Sequence, residues 1–131
     1  MRFRRRSRFP PDMIERLTLL GRFEFDPQRS GIDPAVIWRD CQAPFLDDLT
    51  NDRDRFVADL RALVDGDTSG FAAFGASRLV TDMIGYEYRS EDALALLDGA
   101  IAFKRARGLS GPHFNSYEWE RWHEIGGQAP V

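Results

Sequence analysis

Residues 90–108 read SEDALALLDGAIAFKRARG, and this stretch decides the fold class. Ser90 can accept a hydrogen bond from an early backbone N–H, and Glu91 and Asp92 suit the positive end of a helix. Lys104, Arg105 and Arg107 suit the negative end, and Gly108 can close it. Between Ala93 and Phe103 only Asp98 is polar. A helix that is apolar nearly all round is usually central to its fold. The pattern therefore predicts a mainly α protein with this helix at its centre and Leu94, Leu97 and Ile101 buried.

Further helices follow from the flanking sequence. Met13, Ile14, Leu17 and Leu20 share a helical face, and Gly21 reads as the stop. Phe23 and Phe25 then alternate as an extended piece. Asp33-Pro34 is a helix start, and Ile37, Cys41, Phe45 and Leu49 recur every four residues behind it. Pro44 falls inside that register and predicts a kink or break. Asn51 reads as the cap of a helix whose stripe is Phe56, Val57, Leu60, Leu63 and Val64. Phe71 to Phe74 reads as a short strand ended by Gly75. Ser77 then caps a helix that turns Leu79, Val80, Met83 and Ile84 inward. Asn115 to Glu124 reads as a short last helix. The sum is a compact single-domain bundle of five or six helices over 11–131, with a small β element around 71–74 and 23–25. A basic arm, 1–10, precedes it.

Charge is placed unevenly. The 131 residues carry 18 basic and 21 acidic side chains, a net charge of −3. Arg2, Arg4, Arg5, Arg6 and Arg8 lie in the first nine residues, where there is no acid, so the remainder has a net charge of about −8. The arm has no apolar period and is cut off by Pro10-Pro11, so it is expected to add little to folding. Arginine outnumbers lysine 17 to 1, which suggests codon bias in a GC-rich, bacterial genome. The one cysteine cannot form an internal disulfide, and no apolar run is long enough for a membrane span or signal segment. Both point to the cytoplasm and away from a membrane partner.

No stretch carries a complete catalytic or metal motif. Asp65, Asp67, Ser69 and Gly70 match the first half of a calcium loop, but its twelfth position, where a bidentate glutamate belongs, is Ala76. Any calcium there would be weak, and no metal or cofactor is expected. His113 and His123 fit neither spacing of a zinc motif, although Glu118, Glu120 and Glu124 lie near them. Cys41 lies on an apolar helix face, which favours packing over nucleophilic chemistry.

Two features suit contact with a macromolecule. Asp47, Asp48, Asp52, Asp54 and Asp59 concentrate negative charge on adjoining helices, and acidic patches can steer a basic partner. Tyr117, Trp119 and Trp122 are residue types that lead interface hot spots. In size and charge the chain is similar to the small acidic bacterial proteins that neutralise a toxin or regulate a partner. The expected function is thus a protein-binding module, an immunity protein or antitoxin that occludes a cationic toxin, with no enzymatic activity of its own. Asp47, Asp48, Asp52 and Asp54 would attract the partner, and Tyr117, Trp119 and Trp122 would anchor it. The alternatives are a nucleic-acid-associated regulator that uses Arg2, Arg4, Arg5, Arg6 and Arg8, and a small hydrolase built on His113, His123 and the neighbouring glutamates.

Overall fold

The computed structural model describes residues 8–67, 70–85, 87–109 and 111–127. Helix α1 (Met13–Phe25) is followed by the short α2 (Pro27–Ser30) and α3 (Pro34–Val36). A π-helical turn (Ile37–Gln42) and a 3-10 turn (Ala43–Phe45) lead into α4 (Leu46–Asn51) and α5 (Arg53–Val64). Then come α6 (Phe71–Met83), α7 (Glu91–Ala106), a 3-10 turn (Gly111–His113) and α8 (Ser116–Glu124). The protein is mainly helical, and the described residues contain no strand. The β element expected at 23–25 and 71–74 is therefore corrected: the first segment is the last turn of α1, and the second is the first turn of α6.

Two glycines explain both misreadings. Gly21 lies inside α1 and Gly75 inside α6, and neither ends anything. A methyl group on Gly75 would overlap the carbonyl oxygen of Leu17 and stand 3.0 Å from the Gly21 nitrogen. A methyl on Gly21 would overlap the carbonyl oxygen of Phe71 and stand 3.1 Å from the Gly75 nitrogen. The two backbones meet directly, closer than side-chain ridges allow. Each glycine costs helix propensity, and the contact it permits offsets that cost. Ser77, expected as a cap, is buried within the same helix.

The centre of the bundle is α6, which packs against α1, α4, α5, α7 and the π turn. Helix α7 is flanking. Leu97 and Ile101 are buried as expected, but Leu94 is only half-buried, beside Val80, Gly85 and Tyr88. Ala95, Gly99 and Ala102 are apolar yet too small to demand burial, which is why the count of apolar positions overstated how central α7 is. Its start is as read: Ser90 Oγ accepts from Ala93 N at 3.1 Å.

The π and 3-10 turns are the break expected at Pro44. Proline has no N–H, so the carbonyl of Asp40 loses its donor from one helical turn ahead. Arg16 Nη1 fills the gap at 3.0 Å. Ile37, Cys41, Phe45 and Leu49 stay in register and are buried, and the same register leaves Trp38 49% exposed. Burial pushes the Cys41 thiol up to about 11. It stays protonated and acts as a small hydrophobe.

Gly75→Ala should lower stability by about 3 kcal/mol or more, at or beyond the usual cost of overpacking. Gly99→Ala, where a methyl meets nothing within 4 Å, should raise it by about 1 kcal/mol. Urea denaturation measures both, and a Gly75→Ala protein as stable as the parent would contradict the helix contact.

Candidate functional site

The acidic residues sit where α4 hands over to α5. Asn51 is the last residue of α4, not the cap of α5, and its Nδ2 donates to Asp47 Oδ1 at 2.7 Å. Asp52 takes the N-cap position, yet its carboxylate makes no capping bond. It is turned instead toward Arg8, whose Nη2 donates to Asp52 Oδ2 at 2.8 Å. Arg8 Nε stands 2.9 Å from Asp59 Oδ2, and Nη1 stands 3.7 Å from Asp48 Oδ1. The hydrogen bond to Asp52 leads the influences that raise the Arg8 pKa above its ordinary value. Three carboxylates from one face thus converge on a single guanidinium.

Phe9 completes the contact. It is only 8% exposed, with its ring set edge-on to Phe56 at 5.3 Å. Phe56 is fully buried and also faces Phe45. The end of the arm is thus part of the core, contrary to the expectation that it adds little to folding. A polar sequence next to two prolines concealed a single aromatic anchor. Arg2, Arg4, Arg5 and Arg6 lie outside the described residues.

Asp47 and Asp54 are exposed, and Arg8 does not engage them in any of these contacts. Asp54 Oδ1 accepts from the Tyr88 hydroxyl at 2.8 Å. The structure gathers Asp48, Asp52 and Asp59 at one point, with Asp47 and Asp54 alongside on the same two helices.

Tyr117, Trp119 and Trp122 belong to a different place. They are half-buried on α8, which packs on α7. Phe114 lies edge-on to both Trp119 and Trp122, and Arg105 sits 4.6 Å above the Trp122 ring. An indirect link through residues 88–89 ties this cluster to the acids: Tyr88 bonds Asp54, and Arg89 pairs with Glu124. The exposed apolar groups nearer the acids in sequence are Trp38 and Leu46. Sequence reading passed over both, although the burial register of Ile37 and Cys41 already puts Trp38 outside.

The histidines and tail glutamates do not form one centre. His123 is exposed beside Trp119, and Glu124 is committed to Arg89. Glu118 is 0% exposed, and its Oε1 accepts from Lys104 Nζ at 2.6 Å and from Asn115 N at 2.8 Å. Lys104 also donates to the His113 carbonyl at 2.7 Å. The only lysine of the chain therefore ties α7 to the turn before α8. Asn115 Oδ1 accepts from Glu118 N at 2.8 Å and closes a reciprocal capping box. The Asn-x-x-Glu spacing was readable in the sequence. The pairing with Lys104 was not.

A second charged group lies between α1 and α6. Arg78 Nη2 stands 2.8 Å from Glu24 Oε2 and 3.8 Å from Asp82 Oδ1. The two carboxyls also hydrogen-bond each other. Burial, followed by the bond to Glu24, pushes Asp82 up to about 7. Burial works to raise Glu24 as well, but the Asp82 bond and the Arg78 charge outweigh it and hold Glu24 below its usual value.

The calcium reading resolves in part. Asp67 Oδ2 accepts from Ala72 N at 3.0 Å and Ala73 N at 3.2 Å, holding the start of α6. Ser69 lies outside the described residues. Among the described residues no three His, Cys, Asp or Glu side chains are grouped to hold a metal. No helix among them is long and apolar enough to cross a membrane. Comparison with family models, curated proteins and solved structures finds no match.

A raised Asp82 binds its proton more tightly in the folded state than in the unfolded state. Its stabilisation is complete below its ordinary value of 3.8 and is lost as pH rises through about 7. Glu24 acts oppositely, losing its contribution as pH falls below the carboxylate range. Asp82→Asn keeps a donor for Glu24 and removes the charge. Its melting temperature should exceed the parent's at pH 8 by several degrees, and most of that lead should be gone by pH 4. Equal differences at both pH values would contradict the shared proton. Lys104→Met should cost about 3–5 kcal/mol, because it strands the Glu118 carboxylate inside. Denaturant titration reads the loss, and a cost under about 1 kcal/mol would contradict the buried pairing.

Proposed function

We propose that the protein is a cytoplasmic protein-binding module and that the acidic face of α4 and α5 receives a basic partner. The observation that carries this reading is the seating of Arg8 on Asp48, Asp52 and Asp59. Among the described residues the seat holds one guanidinium against three carboxylates, which leaves it negative. Asp47 and Asp54 add exposed negative charge on the same two helices. Such a field accelerates encounter with a cationic protein.

As a finer reading, the partner is a cationic toxin, and the protein is its immunity protein or antitoxin, acting by occlusion. The acidic remainder of the chain and its bundle of modest size support this. Leu46, exposed at the start of α4 beside Asp47 and Asp48, takes a share of the anchoring role first given to Tyr117, Trp119 and Trp122. The engagement of Arg8 by the protein's own acids weighs against an arm dedicated to nucleic acid.

Capture of a partner from the native host followed by kinetics on purified components tests the reading. The paired reversal Asp47→Lys/Asp54→Lys spares the Arg8 contacts. It should lower the association rate by about tenfold at low salt, and the difference should shrink as salt screens it. Recovery of nucleic acid alone, or association indifferent to both charge and salt, would contradict it.

A further inference from the structure

The chain's own Arg8-Phe9 has the form of a bound peptide. It belongs to no helix and is held by two side chains in two adjoining subsites. The guanidinium occupies the aspartate triad, and the phenyl ring occupies an apolar recess against Phe56. The guanidinium carbon also lies 5.9 Å from the Phe56 ring centre, so one aromatic forms the shared wall of both subsites.

The fit of this occupant is incomplete. Arg8 Nη1 is buried and makes no hydrogen bond, and the 3.7 Å to Asp48 is too long for one. A buried donor left unmade carries a cost. A guanidinium presented from a different backbone could satisfy Asp48 as well as Asp52 and Asp59. Among the described residues the seat also keeps an excess of negative charge with Arg8 in place. Both facts favour exchange. The dipeptide itself occurs twice at the start of the chain, as Arg2-Phe3 and Arg8-Phe9.

We propose that this seat is a recognition site for an arginine–aromatic segment of a partner protein, with Arg8-Phe9 as the resident occupant that such a segment displaces. The inference rests on the protein-binding reading above and names what that partner must present. Asp48, Asp52 and Asp59 select the guanidinium, and the Phe56 recess selects the ring. A lysine-rich segment without an aromatic neighbour meets only the first requirement. The resident segment lowers apparent affinity for weak polycations by competition, so only a segment filling both subsites dislodges it.

The test uses a fluorescent synthetic peptide of residues 2–9, RFRRRSRF, and a control with both phenylalanines replaced by alanine at the same charge. Anisotropy is read with the full chain, with Arg8→Ala, and with Arg8→Ala/Phe9→Ala. The peptide should bind Arg8→Ala at least tenfold more tightly than the parent, and the double variant more tightly still. Adding Asp52→Asn and Asp59→Asn should abolish the gain, and the control peptide should bind at least fivefold more weakly. Should the double variant fail to fold, Arg8→Ala alone carries the comparison, since that side chain is not part of the apolar core. Equal affinity for parent and Arg8→Ala, or no preference for phenylalanine over alanine, would overturn the proposal. The protein-binding reading is judged separately, by the response of the host partner to reversal at Asp47 and Asp54. A selective peptide with an indifferent partner refutes that reading and upholds the seat, and the converse results refute the seat alone.

Discussion

The contact of the α1 and α6 backbones at Gly21 and Gly75 is the constraint from which the rest of the structure follows. With no side chains between them, the helices bring Leu17 and Phe71 carbonyls against the partner helix. That approach sets Phe25 among Phe71, Phe74 and Phe103. It also sets Glu24 beside Arg78 and Asp82. Once α1 covers one side of α6, the other sides are left for α5 and α7. Interiors are packed too densely for such a contact to loosen slightly. A methyl group at either glycine must separate the helices, and everything placed by their separation shifts with it.

Charge is used in two distinct ways. Inside, Lys104 and Glu118 form a pair whose value lies in specifying one position for α8, since a buried ion pair adds little net stability. Glu24, Arg78 and Asp82 form a half-buried group with one more acid than base, which explains the shared proton. Outside, the aspartates of α4 and α5 gather on a single cation and leave charge over. The first two groups join helices. Among the described residues the third is answered by Arg8 of the arm, and the proposed function rests on that imbalance.

The parts of the fold legible in the sequence were those set by local chemistry. Ser90 before two acids, Asp33 before Pro34, and the four-residue repeat of Ile37, Cys41, Phe45 and Leu49 all mean in the structure what they mean in isolation. Gly21 and Gly75 did not, because a glycine that ends a helix and one that admits a neighbouring backbone look alike until the neighbour is known. Phe71 to Phe74 read as a strand for the same reason: aromatic residues favour strands only where nothing else recruits them. At the candidate site, the cluster of aspartates was legible as composition. Its engagement by Arg8, the burial of Phe9, and the pairing of Glu118 with Lys104 depend on tertiary contacts that no spacing encodes.

In the proposed seat, the aspartate triad and the Phe56 recess act together on an arginine beside an aromatic ring. A double-mutant cycle joining Arg8→Ala and Asp52→Asn in the full chain, measured by urea denaturation at low and high salt, tests this most directly. The two side chains should show a coupling of roughly 0.5–1 kcal/mol at low salt that falls as salt rises, as expected for a partly exposed but well-aligned ion pair. Strictly additive effects at low salt would show that Arg8 does not occupy the triad, and the functional argument built on that contact would fail with it.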